Sequence, residues 1–321
     1  MTRTLTALML VTALLGGGTV FAQPSKKTAE LITRLGTAPV NEQLTIIREL
    51  LKTQDVESAA AIAAQLKSPA APVRLSAAKA LAKLSSDAMR AEAAKTVLPL
   101  LTSEDRLARA SALDAAGSLK LKDAVLILLD ILKNEKDPLR SRAASALGQI
   151  GDPAAIKPLL QAMSSPGDWQ LQAAAAAALG ELQYKPAAPV IIDLYKNANL
   201  AAKITLARAL GTLKSTEAVS ALGAGAADSD LRVKLTAIAA LKEIGSPDAG
   251  VFLVPALGDA EPSIRAAAAD ALAKCSAENQ LPDLEKYAGT EKDEAVKAAF
   301  GRAITALSGG KKKEPAPQAG Q

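Results

Sequence analysis

Histidine is absent from all 321 residues, and cysteine occurs once, at Cys275. Without histidine the chain lacks the commonest general base, the commonest zinc ligand and the usual partner of a nucleophilic serine or cysteine. One cysteine excludes an internal disulfide and any multi-thiolate metal site. Cys275 lies three residues after Leu272 on an apolar helical face, which reads as a buried structural thiol. Aromatic residues make up only 2% of the chain, so large rings do not build its core. Charge is nearly balanced, with 38 basic and 33 acidic residues. Part of the basic excess sits in terminal runs, Lys26-Lys27 and Lys311–Lys313. That leaves little of the electrostatic footprint of a nucleic-acid binder, and no nucleic-acid partner is expected. With no catalytic or ligating cluster in view, no cofactor, no metal and no catalysis are expected.

What the chain has instead is periodicity. The stretch Asp137 to Pro153, DPLRSRAASALGQIGDP, contains one helix with both ends marked. Asp137 can cap it, Pro138 fits the first helical position, and Gly151 suits the left-handed residue that closes a helix. Leu139, Ala143, Leu147 and Ile150 share one face. Taking Leu147 as anchor, Leu50, Leu81, Ala116, Leu179, Leu210, Leu241, Leu272 and Ile304 fall in register, at spacings of 31 to 35 residues. Each unit reads as two helices, A and B; for Leu147 they are Asp123–Lys133 and Pro138–Ile150. Neither buries its apolar stripe alone, so neighbouring pairs must stack. The expected fold is an all-α solenoid of about nine two-helix repeats.

The run LRSRAASALGQIGDPAAIKPLLQAM (139–163) resembles the HEAT-like repeats of phycobilin lyases, and 231–257 and 263–275 look like further copies. The resemblance implies a right-handed superhelix with the B helices on its concave side. Two enzyme classes share such repeats. Deoxyhypusine hydroxylases hold two irons with paired His-Glu motifs, which this chain cannot supply. Phycobilin lyases act inside the cell, and no catalytic residue of theirs can be matched here.

Residues 1–22 have a basic start at Arg3, an apolar run from Leu5 to Leu15, and Val20-Phe21-Ala22 before Gln23. That is the outline of a secretory signal peptide, too short to span a membrane. The expected organisation is a signal peptide at 1–22, a linker at 23–27, the solenoid at 28–307 and a disordered tail at 308–321. The chain is thus expected to be exported, to a periplasm or beyond. The 35-residue spacing between Leu81 and Ala116 predicts a longer loop near Ser85–Met89 or Thr102–Glu104. Pro99, Pro158, Pro189 and Pro255 are expected to kink their A helices.

Two sets of residues stand out. Trp169, Tyr184 and Tyr195 fall within two adjacent repeats of an aromatic-poor chain and are candidate partner contacts. At the start of helix B, Asp105/Arg109, Asp230/Lys234, Glu261/Arg265 and Asp293/Lys297 stand four apart and Asp137/Arg140 three apart, while Arg74 and Lys203 complete the basic column. Four-residue spacing favours pairing within the helix, at ~0.2–0.5 kcal/mol each. The resemblance implies that this set forms a hydrogen-bond ladder between repeats. The function expected is a scaffold that binds a protein or envelope component through its helical surface. The alternative is a lyase-type enzyme or accessory subunit that holds a chromophore in the groove.

Overall fold

The computed structural model describes residues 24–309. The expected signal peptide and nearly all of the expected tail lie outside the described residues. Those described form helices and turns, without a strand among them, and none of their helices is long and apolar enough to cross a membrane. Contacts divide the chain into two compact units, one up to Thr96 and one from Val97.

In the first unit, α1 (Lys26–Leu35) packs on α2 (Val40–Thr53), and α3 (Val56–Ala64) packs on α4 (Ala71–Leu81). The B helices α2 and α4 also touch each other, around buried Ile47, Leu50, Val73 and Leu81. The division between units falls within α5 (Asp87–Leu100). This helix accounts for the long spacing. It is one continuous helix of 14 residues, so Asp87–Met89 of the first expected loop position are helical, whereas Thr102–Glu104, the second, lies in the turn that follows the helix. The Ser86 hydroxyl accepts from the Met89 N–H and caps it, and Met89 is buried.

The second unit continues with α6 (Arg106–Ser118), α7 (Val125–Lys133), α8 (Arg140–Ile150), α9 (Ile156–Met163), α10 (Trp169–Glu181) and α11 (Ala188–Asn197). It ends with α12 (Leu200–Thr212), α13 (Val219–Ala226), α14 (Leu231–Ile244), α15 (Gly250–Leu253), α16 (Pro262–Lys274), α17 (Leu281–Thr290) and α18 (Glu294–Leu307). Even-numbered B helices pack side by side in one layer, and each from α8 onward also packs on the A helix before it. This is an α-solenoid of HEAT-like repeats.

The anchors are the core. Leu147, Leu179, Leu210, Leu241 and Leu272 are all fully buried. Adjacent B helices approach closely because glycine on one meets alanine on the next. Gly117, Gly148 and Gly211 face the Cα atoms of Ala146, Ala178 and Ala240. A Cβ added at Gly148 would stand 2.6 Å from the Ala178 Cα, with no space to occupy.

B helices also end alike. Gly151 and Gly245 take positive φ, as expected for a glycine closing a helix. At the same register, Gln54, Lys120, Gln183, Lys214 and Ser276 adopt φ between 50° and 56° despite carrying side chains. The sequence marks only the glycine-terminated ends.

Two local expectations are corrected. α8 begins at Arg140 rather than Pro138, with Asp137 Oδ1 accepting from the Leu139 N–H at 2.9 Å. Pro158 and Pro189 sit in the first turn of α9 and α11, directly after 3-10 turns at Pro153–Ala155 and Lys185–Ala187. A first-turn N–H has no intrahelical acceptor, so proline there has no ladder bond to break. Pro255 does interrupt its helix: α15 stops at Leu253 and a 3-10 turn, Pro255–Gly258, follows.

Candidate functional site

The basic column reaches from one repeat to the next. Arg109 pairs with Asp137 at 3.1 Å, Lys203 with Asp228 at 3.3 Å, Lys234 with Asp259 at 2.5 Å, and Arg265 with Glu291 at 2.6 Å. Each acid lies two residues before the residue that caps the next B helix. Its other bond fixes that loop, accepting from the N–H of Leu139, Asp230, Glu261 or Asp293. Asp228, Asp259 and Glu291 are therefore members that spacing along one helix does not reveal. The signal was an acid two positions ahead of the cap, as in Asp228-Ser-Asp230 and Glu291-Lys-Asp293.

The four-apart acids act locally. Asp105, Asp230 and Asp293 accept from first-turn N–H groups of their own helices, and Glu261 stands at the same position without a side-chain cap bond. Lys297 pairs with Glu294 at 2.7 Å, Arg140 donates to the Leu132 carbonyl, and Arg74 donates to the carbonyls of Ser68 and Pro69. Hydrogen bonds from Arg265, then from the N–H of Asp293, pull the Glu291 carboxyl down to about 2. Asp259 is lowered first by Lys234, and Asp228 first by the Asp230 N–H.

The three aromatic residues do not share a site. Tyr195 is buried, its hydroxyl has no hydrogen-bond partner and lies against Gly225, and burial pushes its pKa up to about 12. Tyr184 is half-buried in the turn before α11. Trp169 is half-buried and lines a groove of about 600 Å³ across α8, α10 and α12.

That groove follows from a run of six alanines in α10, Ala173–Ala178. α10 lies between α8 and α12, and its outward residues Ala173, Ala174 and Ala177 do not reach beyond the backbone envelope. Taller side chains on either side become walls. Arg142, held to Asp114 at 2.5 Å, forms one, and Thr205 and Arg208 on α12 form the other. Trp169 stands at one end because Gly167, at φ +81°, turns the chain and Asp168 caps α10 through the Leu171 N–H at 2.9 Å. Arg208 is exposed and has no side-chain partner among the described residues. The groove thus offers a flat apolar floor, an indole wall and one uncommitted guanidinium. It suits an extended, flat ligand with an anionic group. No cluster of metal-ligating residues occurs among the described residues. Cys275 is buried, and burial raises its thiol to about 11, so it supplies no thiolate.

Parts of the chain are similar to known proteins. The chain is 37% identical to the phycocyanobilin lyase subunit alpha of Picosynechococcus sp. over 95 residues, covering 27% of this chain and 35% of that protein. It is 35% identical to the same subunit from Synechococcus elongatus over 83 residues, covering 24% and 30%. The chain thus spans about a third of the length of the curated relatives it matches. Among solved structures, YibA of Escherichia coli aligns over 85% of this chain and 98% of that one, at 18% identity and a TM-score of 0.57. The complex of CpcE and CpcF of phycocyanin lyase from Nostoc sp. aligns over 66% and 94%, at 23% identity and a TM-score of 0.45. The expectation of no catalysis is corrected by the curated matches, whose named activity is a lyase. Missing histidine excludes histidine chemistry, not a lyase subunit. The pattern of HEAT repeats matches residues 94–180, 156–234 and 222–305. The chain belongs to the HEAT-repeat family.

Proposed function

We propose that this chain is a lyase-type subunit that holds an extended, planar, carboxylate-bearing chromophore in the groove over α10 and works with a protein partner. Linear tetrapyrroles are the ligand class that the relatives' names supply. The observation that carries the reading is the groove itself: alanines as floor, Trp169 as wall, and Arg208 without a partner. The floor accepts a flat conjugated surface, the indole stacks on it, and the guanidinium pairs with a carboxylate. The chain's residues bind and orient here. The one carboxylate that lines the groove, Asp114, is tied to Arg142 and so leaves Arg208 as the free charge.

The only tryptophan of the chain stands in the groove, which makes its fluorescence the test. Phycocyanobilin and biliverdin titrated into the protein are expected to quench Trp169 at micromolar concentration and to shift their own absorption. Unchanged emission and absorption would end the reading. Export is a separate part of the proposal, supported by the pattern of residues 1–22. An N-terminus at Gln23 on protein from an envelope fraction supports it; an intact Met1 on cytoplasmic protein refutes it.

A further inference from the structure

A second groove, of about 370 Å³, lies within the first unit between α2 and α4. Leu44, Ile47 and Leu51 line it from α2, and Pro72 and Leu75 from α4. Leu75 keeps 55% of its surface exposed. Leu44 and Leu51 are two turns apart, so the apolar strip runs about 10 Å along the helix.

The rim has one sign. Arg48, Lys79 and Lys83 surround the strip, and no carboxylate lines it. Arg48 donates only within its own helix, Nε to the Leu44 carbonyl at 3.1 Å. Lys79 and Lys83 have no side-chain partner among the described residues. By contrast, the half-buried lysines 203 and 234 of the ladder are each paired with an acid.

We propose that this groove docks an acidic amphipathic helix of a partner protein. Three unpaired cations with no acid between them select a negative guest. The strip, two turns long and walled by parallel side-chain rows, matches a helix whose apolar residues recur at i, i+3 or i+4, and i+7. Lys79 and Lys83, four residues apart on one helix face, match glutamates spaced the same way on the guest. Docking would cover Leu75, the largest exposed apolar side chain of the groove. This surface is separate from the groove over α10, and the proposal stands without the chromophore reading.

The test uses the full chain and a fluorescein-labelled synthetic helix with leucines at the stated spacing and glutamates along both flanks. A second peptide carries lysine in place of every glutamate, and phosphatidylglycerol vesicles serve as a lipid probe. The acidic peptide is expected to bind, more weakly as salt rises, with affinity falling about tenfold for Leu75→Asp, an anchor-sized loss. The double variant K79E/K83E is expected to lose the acidic peptide and gain the basic one. That gain is a readout that misfolding cannot produce. Equal binding of both peptides by the unaltered chain, indifference to Leu75→Asp, or binding of the vesicles alone would each overturn the proposal.

Discussion

Arg265 grips Glu291 with two bonds, Nε to Oε2 at 2.6 Å and Nη2 to Oε1 at 2.9 Å, across the junction between successive repeats. The same carboxylate accepts the N–H groups of Lys292 and Asp293, and the same guanidinium donates to the carbonyls of Asp259 and Ala260. One pair therefore fixes two loops. Glu291 keeps only 5% of its side-chain surface exposed.

The pH dependence follows from the sign of the shift. Folding lowers Glu291 from the ordinary 4.5 to about 2. Its stabilisation is therefore complete above pH 4.5 and is lost as pH falls towards 2. Asp228 and Asp259 shift in the same direction. Urea unfolding of the native chain is expected to weaken steeply between pH 4.5 and 2. Glu291→Gln is expected to cost about 1–3 kcal/mol at pH 7 and to flatten that dependence. An unchanged slope in the variant would show that the pair does not couple protons to folding.

Glycines of the B helices should divide by what faces them. Gly148→Ala would place its Cβ 2.6 Å from the Ala178 Cα, which backbone movement alone can relieve. A loss of about 1–3 kcal/mol is expected, the usual cost of overpacking. Gly301 meets nothing within 4 Å, so Gly301→Ala is expected to gain about 0.5–1 kcal/mol through helix propensity. Thermal melts of the two variants should move in opposite directions. Movement in the same direction would refute the close-approach account.

Much of this architecture was legible in the chain. The anchors from Leu50 to Ile304 gave repeat number and register because a buried stripe must recur wherever identical units stack. Partners were less legible. Lys234 and Asp230 are four apart, yet Lys234 reaches Asp259 because Asp230 is committed to the helix N-terminus. Competition between a cap and an ion pair is decided in three dimensions, not by spacing. The groove was legible only at Trp169. Its alanine floor carries no mark of a site, and it becomes a cavity only because α8 and α12 carry taller side chains beside it. Tyr195 and Trp169 fall close in sequence, but one lies on an A helix facing inward and the other opens a B helix.

Non-glycine residues in the left-handed conformation give a third prediction. An L-residue there costs roughly 1–2 kcal/mol, and glycine returns part of the gain as unfolded-state entropy. Lys214 sits at φ 52°, and its side chain makes no hydrogen bond or ion pair among the described residues. Lys214→Gly is expected to stabilise the chain by about 0.5–1 kcal/mol. Gln183, at φ 54°, donates to the carbonyls of Gly180 and Thr212, both at 3.0 Å. Gln183→Gly loses those bonds with the strain and is expected to gain nothing. Equal gains from both would mean that the Gln183 bonds contribute no stability.

The groove over α10 makes the last prediction, because its three parts can be removed separately. Ala177→Leu raises the floor without touching the buried anchors, since Ala177 faces the groove. It is expected to abolish chromophore binding while the thermal midpoint stays unchanged. Trp169→Ala removes the stacking wall and should weaken binding by about tenfold, or about 1.4 kcal/mol. That variant has no tryptophan left, so binding is read from the chromophore's absorption and induced circular dichroism. Arg208→Ala removes the uncommitted charge and should cost a similar factor with the free acid. With the dimethyl ester of the same chromophore, which has no carboxylate to pair, Arg208→Ala should cost nothing. The ester comparison separates a direct ion pair from a general loss of groove shape. If Arg208→Ala weakens acid and ester alike, Arg208 does not recognise the carboxylate, and the orientation assigned to the ligand fails with it.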